Sequence, residues 1–279
     1  MENPPPRFSR RVENYIKYRP RYPQAIIDLL QRECHLTTMD VIADIGSGTG
    51  LLTELFLNNG FRVCGVEPDP EMRAAAEYLF QGYRHFTSIA ATAEATSLAD
   101  HRVDVVTVGQ AFHWFDREQA RREFLRILVP KGWAVLVWNI QRTAGTPFLA
   151  ALEQFWQTYL TREGLHAEAT AQDLSTLLQQ TNPVYRWRLH PEQADRELVS
   201  PLFRFGFYKV KTFENHQVYD FEGLKGRVLS AGSAPEAGHP RFTEMIEALS
   251  ALPDVPGGWD HHDRAGDPCV LWSDLQHIG

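Results

Sequence analysis

The chain has 279 residues, 43% of them hydrophobic, enough to bury a core in one large α/β domain with an elaboration or in two small domains. Lys and Arg number 28 against 35 Asp and Glu, and the resulting charge of −7 argues against a general nucleic-acid binder, whose surface would be basic. No apolar run is long enough to span a bilayer, Met1 to Pro6 lack the apolar stretch of a signal peptide, and Cys34, Cys64 and Cys269 form no CxxC pair, so a reduced cytoplasmic protein without a metal centre is expected.

Residues 7–23 crowd Tyr15, Tyr18, Arg19 and Tyr22 into a segment that Pro20 and Pro23 keep from being one helix. Such a segment suits a flap that closes over a ligand, and equally an arm packed on the flank of a sheet. Gln24 to Arg32 predict a helix with Ile26, Ile27, Leu29 and Leu30 inward. Val41 to Ile45 then read as a short buried strand, Gly46, Ser47, Gly48, Thr49 and Gly50 as a turn closed to bulky side chains, and Leu51 to Asn59 as a helix. Strand, glycine turn and helix make a nucleotide-binding start, because the backbone can approach a ligand and the helix N-terminus presents unpaired N–H groups.

Two details narrow the ligand. The spacing is GxGxG and not the GxGxxG of a dinucleotide fold, and Asp44, two residues before the first glycine, suits a cationic group better than a pyrophosphate. Arg62 to Pro68 form a second strand ending in Glu67, 17 residues past Gly50, where an acceptor for a ribose diol belongs. With these residues the chain resembles the class I S-adenosylmethionine-dependent methyltransferases. The resemblance implies a doubly wound, mostly parallel, Rossmann-like sheet of the seven-stranded type with helical insertions. It implies that Asp44, Gly46, Ser47, Gly48 and Gly50 hold the methionine part of the cofactor, and Glu67, followed by Pro68, its ribose. Met72 could rest against the adenosine, or be plain core filler. Ala93 and Glu94 match the loop beside the adenine, although Thr92 stands where the family more often has aspartate. A Y-x-x-Y-R-P-x-Y-P stretch like that around Tyr18 and Arg19 precedes the cofactor domain in many small-molecule members. Tyr15, Tyr18 and Arg19 are therefore candidates for orienting an anionic substrate or the cofactor carboxylate.

Pro70 to Phe80 predict a helix, Tyr83 to Ile89 a weaker third strand, and Val103 to Gly109 a fourth, apolar enough to be central. The fourth strand runs into Gln110, Ala111, Phe112, His113, Trp114 and Phe115, beyond a carboxyl end, where open α/β sheets bind ligands. The same His-Trp-Phe run occurs in a subset of the methyltransferases that the chain resembles. His113 is a candidate general base by position, with a hydrogen-bonded structural histidine as the blander reading. There is no Asn/Asp-Pro-Pro-Tyr stretch after this strand, which disfavours methylation of exocyclic amines in nucleic acid.

Arg117 to Leu128 predict a helix, residues 129–133 a turn and Ala134 to Trp138 the fifth strand. Residues 139–200 lose the alternation of strand and helix. Phe148 to Tyr159 and Ala171 to Gln180 read as helices inserted to cover a substrate, Phe203 to Phe213 as the sixth strand, and Phe221 to Ser230 and Pro240 to Leu252 as further helices. Residues 254–268 show no strand pattern, so the antiparallel seventh strand is expected to be missing or degenerate, and residues 254–279 to be an irregular tail read out of frame relative to an ancestral gene. His261, His262 and Asp263 lack a further histidine at ligand spacing and read as polar surface. The chain thus divides into a flap and helix (1–35), a cofactor-binding core (36–140), substrate-covering helices with the sixth strand (141–253) and the tail (254–279). The expected activity is methyl transfer from S-adenosylmethionine to a small-molecule acceptor. A nicotinamide-dependent oxidoreductase and a non-catalytic cofactor-binding protein are the alternatives.

Overall fold

The computed structural model describes residues 9–139, 146–160, 209–213, 215, 217–253, 261–263 and 268–274. The predicted helix 171–180 and the first residues of the predicted sixth strand lie outside them.

Two short helices lead in. α1 (Arg10–Tyr18) starts where Ser9 accepts the Val12 N–H and ends at the extended Arg19, just before Pro20; α2 (Ala25–Glu33) follows. β1 (Val41–Ile45), α3 (Leu51–Asn58), β2 (Arg62–Val66), α4 (Pro70–Leu79), β3 (Phe86–Ile89), β4 (Val103–Gly109), α5 (Arg117–Ile127) and β5 (Leu128–Asn139) then alternate. α4 and α5 begin as the sequence directs: the Asp69 carboxylate accepts N–H groups of Glu71 and Met72 with Pro70 in the first turn, and the Asp116 carboxylate accepts that of Gln119.

Strands β3, β2, β1, β4 and β5 pair in that order, all parallel. Apolar residues along the strands alternate between two cores. Ala43, Ile45, Val106, Val108, Ala134 and Leu136 pack against α5, whereas Ile42, Val63, Val105, Val135 and Val137 face Ile26, Ile27, Leu52 and Phe56 of α2 and α3. A parallel sheet covered on both faces has to be apolar on both. The predicted turn 129–133 appears inside β5 as a break in register against β4, with Lys131 at φ 66°.

α6 (Pro147–Tyr159) follows. β6 (Lys209–Thr212) is the described part of the sixth strand, and β7 (Gln217–Tyr219), α7 (Phe221–Leu229) and α8 (Phe242–Ser250) come next. Phe148, Phe155, Trp156, Leu224, Val228, Met245 and Leu249 of the three helices make a third core of their own. α8 is shorter than predicted, because His239 and Arg241 sit in a turn before it.

The expectation of a missing seventh strand is corrected, whereas of the predicted irregular tail only residues 261–263 and 268–274 are among the described residues. β8 (His261–Asp263) pairs antiparallel with β7, and β9 (Pro268–Asp274) lies antiparallel between β5 and β6. The sheet therefore has seven strands, in the order β3-β2-β1-β4-β5-β9-β6. Val270, Leu271 and Trp272 form a continuous apolar run that suits a strand between two neighbours, a signal overshadowed by the polar residues before it. The missing strand was the motive for reading the tail as out of frame, and β9 removes that motive. Among the described residues no helix is long and apolar enough to cross a membrane, and no group of three or more His, Cys, Asp or Glu could hold a metal ion.

Candidate functional site

The strand order reverses direction at β1 and β4, and the crevice beyond their carboxyl ends is where this topology places a ligand. The glycine turn lies there. Gly46, Gly48 and Gly50 have φ of 67°, 57° and 88°, a left-handed backbone that side chains disfavour. The Gly46 and Ser47 N–H groups donate to the Val66 carbonyl at 2.8 and 3.1 Å, tying the turn to the end of β2. Two of the three glycines are close-packed by protein. A β-carbon on Gly46 would stand 2.6 Å from that of Ala111, and one on Gly50 would stand 2.2 Å from the Phe80 ring. A β-carbon on Gly48 would meet nothing within 4 Å.

The Gly48 N–H donates to Glu67 Oε2 at 2.8 Å, and the Asp69 N–H donates to Glu67 Oε1 at 2.8 Å. Glu67, 8% exposed, therefore joins the turn to the start of α4, and each carboxylate oxygen keeps capacity for a further bond. Burial raises its pKa against the lowering effect of these bonds. Beside it, Pro68 is exposed and Met72 half-buried. Thr49 in the turn is 1% exposed, and its hydroxyl has no hydrogen-bond partner among the described residues.

Asp44 is also 1% exposed. It accepts the hydroxyls of Thr53 on α3 at 2.7 Å and of Thr107 on β4 at 3.1 Å, so it fastens three elements below the turn. Burial lifts its carboxyl to about 6, with the two threonine bonds opposing. On the other side of the crevice Gln110 takes φ 59° and donates Nε2 to the Asn139 carbonyl at 2.9 Å. Asn139 in turn accepts from Asn215, which also donates to the Arg21 carbonyl at 2.7 Å. This chain of amides ties the ends of β4 and β5 to the arm before α2. Ala93 is buried, and Glu94 accepts the Asp116 N–H at 2.9 Å, so that carboxylate also caps α5.

Phe112, His113 and Trp114 form a single 3₁₀ turn. Phe112 is buried against Phe115, Trp114 is 61% exposed, and the His113 and Trp114 rings lie 5.1 Å apart. Tyr18 and Arg19 stand farther out: the Tyr18 ring packs on Gly226 of α7, and Arg19 bonds Ser230 at its end. The structure thus brings Gly46, Ser47, Gly48, Gly50, Glu67 and Ala111 into one place and leaves Tyr18 and Arg19 on the roof. Thr107, Asn139 and Asn215 were missed by the sequence reading, because each acts through a partner distant in the chain, and Thr53 was missed because its partner Asp44 lies on the far side of the glycine turn.

Residues 43–136 match the family model described as methyltransferase domain. This stretch is a methyltransferase domain. An uncharacterized methyltransferase of Mycobacterium tuberculosis is 37% identical over 132 residues, 47% of this chain and 51% of that one. An uncharacterized methyltransferase-like protein of Schizosaccharomyces pombe is 34% identical over 133 residues, again 47% and 51%. The chain thus spans about half the length of the curated relatives it matches. A solved structure from Anaeromyxobacter dehalogenans, provisionally described as a type II methyltransferase, shares the fold with a TM-score of 0.55 at 21% identity, over 92% of this chain and 96% of that one. A phosphoethanolamine N-methyltransferase of Haemonchus contortus, solved with S-adenosylhomocysteine, shares it with a TM-score of 0.50 at 14% identity, over 94% and 56%. The matched stretch runs from within β1 to within β5, and takes in the glycine turn, Glu67 and the His113 turn.

Proposed function

We propose that the protein transfers a methyl group from S-adenosylmethionine to a small-molecule acceptor in the cytoplasm. The observation that carries the reading is the open space over Gly48 beside a buried carboxylate, in a turn whose other two glycines are close-packed by protein. The residues fit the cofactor. Glu67 has acceptor capacity for two ribose hydroxyls, Gly48 leaves room for a ligand against the backbone, and the buried Thr49 hydroxyl is available to one. Asp44, beneath the turn, adds negative potential suited to an ammonium group. Met72, Ala93, Glu94, Gln110, Ala111 and Phe112 are the flanking contacts in this reading, with Pro68 shaping the turn after Glu67.

The bound cofactor would supply a methyl group on a sulfonium, already an activated leaving group, so the task left to the protein is alignment and exclusion of water. The arm around Tyr22 and the helices α1, α6, α7 and α8 are suited to that task. His113 is placed to accept a proton from an acceptor that needs to lose one, although its 3₁₀ turn also serves as packing. The charge of −7 supports a small acceptor over nucleic acid. The GxGxG spacing and Asp44 speak against a nicotinamide cofactor. Calorimetry with S-adenosylhomocysteine and with NADH tests the reading: binding of NADH alone would sink it, and cofactor binding without turnover on a broad acceptor panel would favour a non-catalytic protein.

A further inference from the structure

The arm between α1 and α2 carries one side chain to the carboxyl edge of the sheet. α1 itself is seated on α7: the Tyr18 ring lies where any side chain on Gly226 would collide with it, the Tyr219 hydroxyl donates to the Tyr18 carbonyl at 2.7 Å, and Arg19 donates Nε to Ser230 Oγ at 2.9 Å. Farther along the arm, the Arg21 carbonyl accepts from Asn215 Nδ2 at 2.7 Å, and the Pro20 carbonyl accepts a longer bond from Asn139 Nδ2 at 3.5 Å. Pro20 and Pro23 stiffen the backbone on either side of Tyr22. The direction of the Tyr22 side chain is therefore fixed from outside.

The Tyr22 ring packs on the core beneath α2 and α3, and its hydroxyl stands 2.8 Å from where a β-carbon on Gly109 would sit, at the end of β4. Leu52, in the first turn of α3, reaches the same point at 3.1 Å. A side chain at position 109 would have to displace the phenol, so the glycine keeps this place for it. Side chains along a strand alternate between faces, so Gly109 lies on the same face of β4 as Thr107, whose hydroxyl bonds Asp44. Tyr22 thus ends in the wedge where the glycine turn leads from β1 into α3, on the side that holds Asp44. Burial, then Tyr15 and Asp44, push the phenol well above its ordinary range, with Arg19 opposing, so it keeps its proton at neutral pH. Its hydroxyl has no hydrogen-bond partner among the described residues. A hydroxyl withdrawn from water without a partner is a cost that a ligand's acceptor atom removes.

The methionine part of S-adenosylmethionine ends in an ammonium and a carboxylate on one carbon atom. Asp44 supplies negative potential for the ammonium, and the carboxylate needs a donor that carries no negative charge. A phenol that stays neutral is such a donor, and O–H bonds to an ionised oxygen are among the strong ones. Tyr18 and Arg19, candidates for this task from the sequence, are engaged with α7 instead. We infer that the Tyr22 hydroxyl holds the carboxylate of the cofactor's methionine part, so that the arm before α2 completes a site whose other walls are the glycine turn and Glu67. The inference rests on the methyltransferase reading. It makes Tyr22 the residue that selects the complete amino-acid end of the cofactor.

The full chain is titrated in a calorimeter with S-adenosylhomocysteine and, separately, with decarboxylated S-adenosylhomocysteine, which keeps the amine and lacks only the carboxylate. Tyr22→Phe keeps the ring and removes the hydroxyl. It is expected to weaken S-adenosylhomocysteine by about tenfold or more and to leave the decarboxylated ligand within about twofold of wild type. The melting temperature of the unloaded variant should not fall, because the lost hydroxyl had no partner to lose. Unchanged S-adenosylhomocysteine affinity overturns the inference. Equal weakening of both ligands also overturns it, since the hydroxyl would then serve the ammonium or the nucleoside, and a clear drop in melting temperature would show a partner within the protein. If the wild-type chain does not bind S-adenosylhomocysteine at all, it is the methyltransferase reading that fails; binding that is insensitive to Tyr22→Phe removes Tyr22 alone.

Discussion

Replacing Gly48 by alanine separates folding from binding at the centre of the site. The added methyl group meets no protein atom within 4 Å, so its cost to the free protein is confined to the left-handed backbone at φ 57°. That cost is about 1–2 kcal/mol, which for a chain of this size lowers Tm by roughly 2–8 °C. Gly50→Ala carries the same backbone cost at φ 88° and also drives a methyl group to 2.2 Å from the Phe80 ring, which is itself buried in the core. Overpacking of that kind adds about 1–3 kcal/mol, so Gly50→Ala is expected to melt clearly below Gly48→Ala. Binding should rank the other way. The space over Gly48 is assigned to the cofactor, and Gly48→Ala should weaken S-adenosylhomocysteine by about tenfold or more. Calorimetric melts of both variants, with titrations on the folded protein, give both numbers. Wild-type affinity in a folded Gly48→Ala protein would refute the assignment, and equal melting of the two variants would refute the packing argument.

Glu67→Gln keeps the shape but faces an amide N–H₂ toward one of the two backbone donors at Gly48 and Asp69, so both Tm and S-adenosylhomocysteine affinity should fall, the latter by about tenfold; unchanged affinity would remove Glu67 from the site. The Asp44 carboxyl sits at about 6 in the fold against an ordinary 3.8, so its ionisation costs stability as pH rises through that window, and the penalty is constant above it. Denaturant unfolding at a series of pH values should show that this decline is lost in Asp44→Asn; parallel curves for variant and wild type would contradict the burial argument. His113→Ala should leave S-adenosylhomocysteine affinity nearly intact and reduce turnover by less than about tenfold, whereas a loss of the order of 10²–10⁴ would identify a general base.

Local chemistry made much of this protein legible from its sequence. The alternation of strand and helix from Val41 to Leu128, the glycine turn, the acid at the end of each of the first two strands and Pro70 in the first turn of α4 depend on neighbours a few residues away, so spacing reveals them. Strand β9 was legible in principle, in Val270, Leu271 and Trp272, but its role depends on the two strands it lies between, and the polar residues before it read as a tail. The cofactor side of the candidate site was legible because β1 and β2 are adjacent both in the chain and in the sheet, which brings Gly48 to Glu67.

Contacts across long sequence separations were decided by tertiary structure alone. Nothing near Asp44 in the sequence shows that Thr107 would bond it, nothing near Gln110 points to Asn139, and Arg19 meets Ser230 only because α1 is seated on α7. A glycine turn and an acid after a strand declare themselves by chemistry that any local window contains. Arg19 and Ser230, more than two hundred residues apart, meet only when helix packing brings them together.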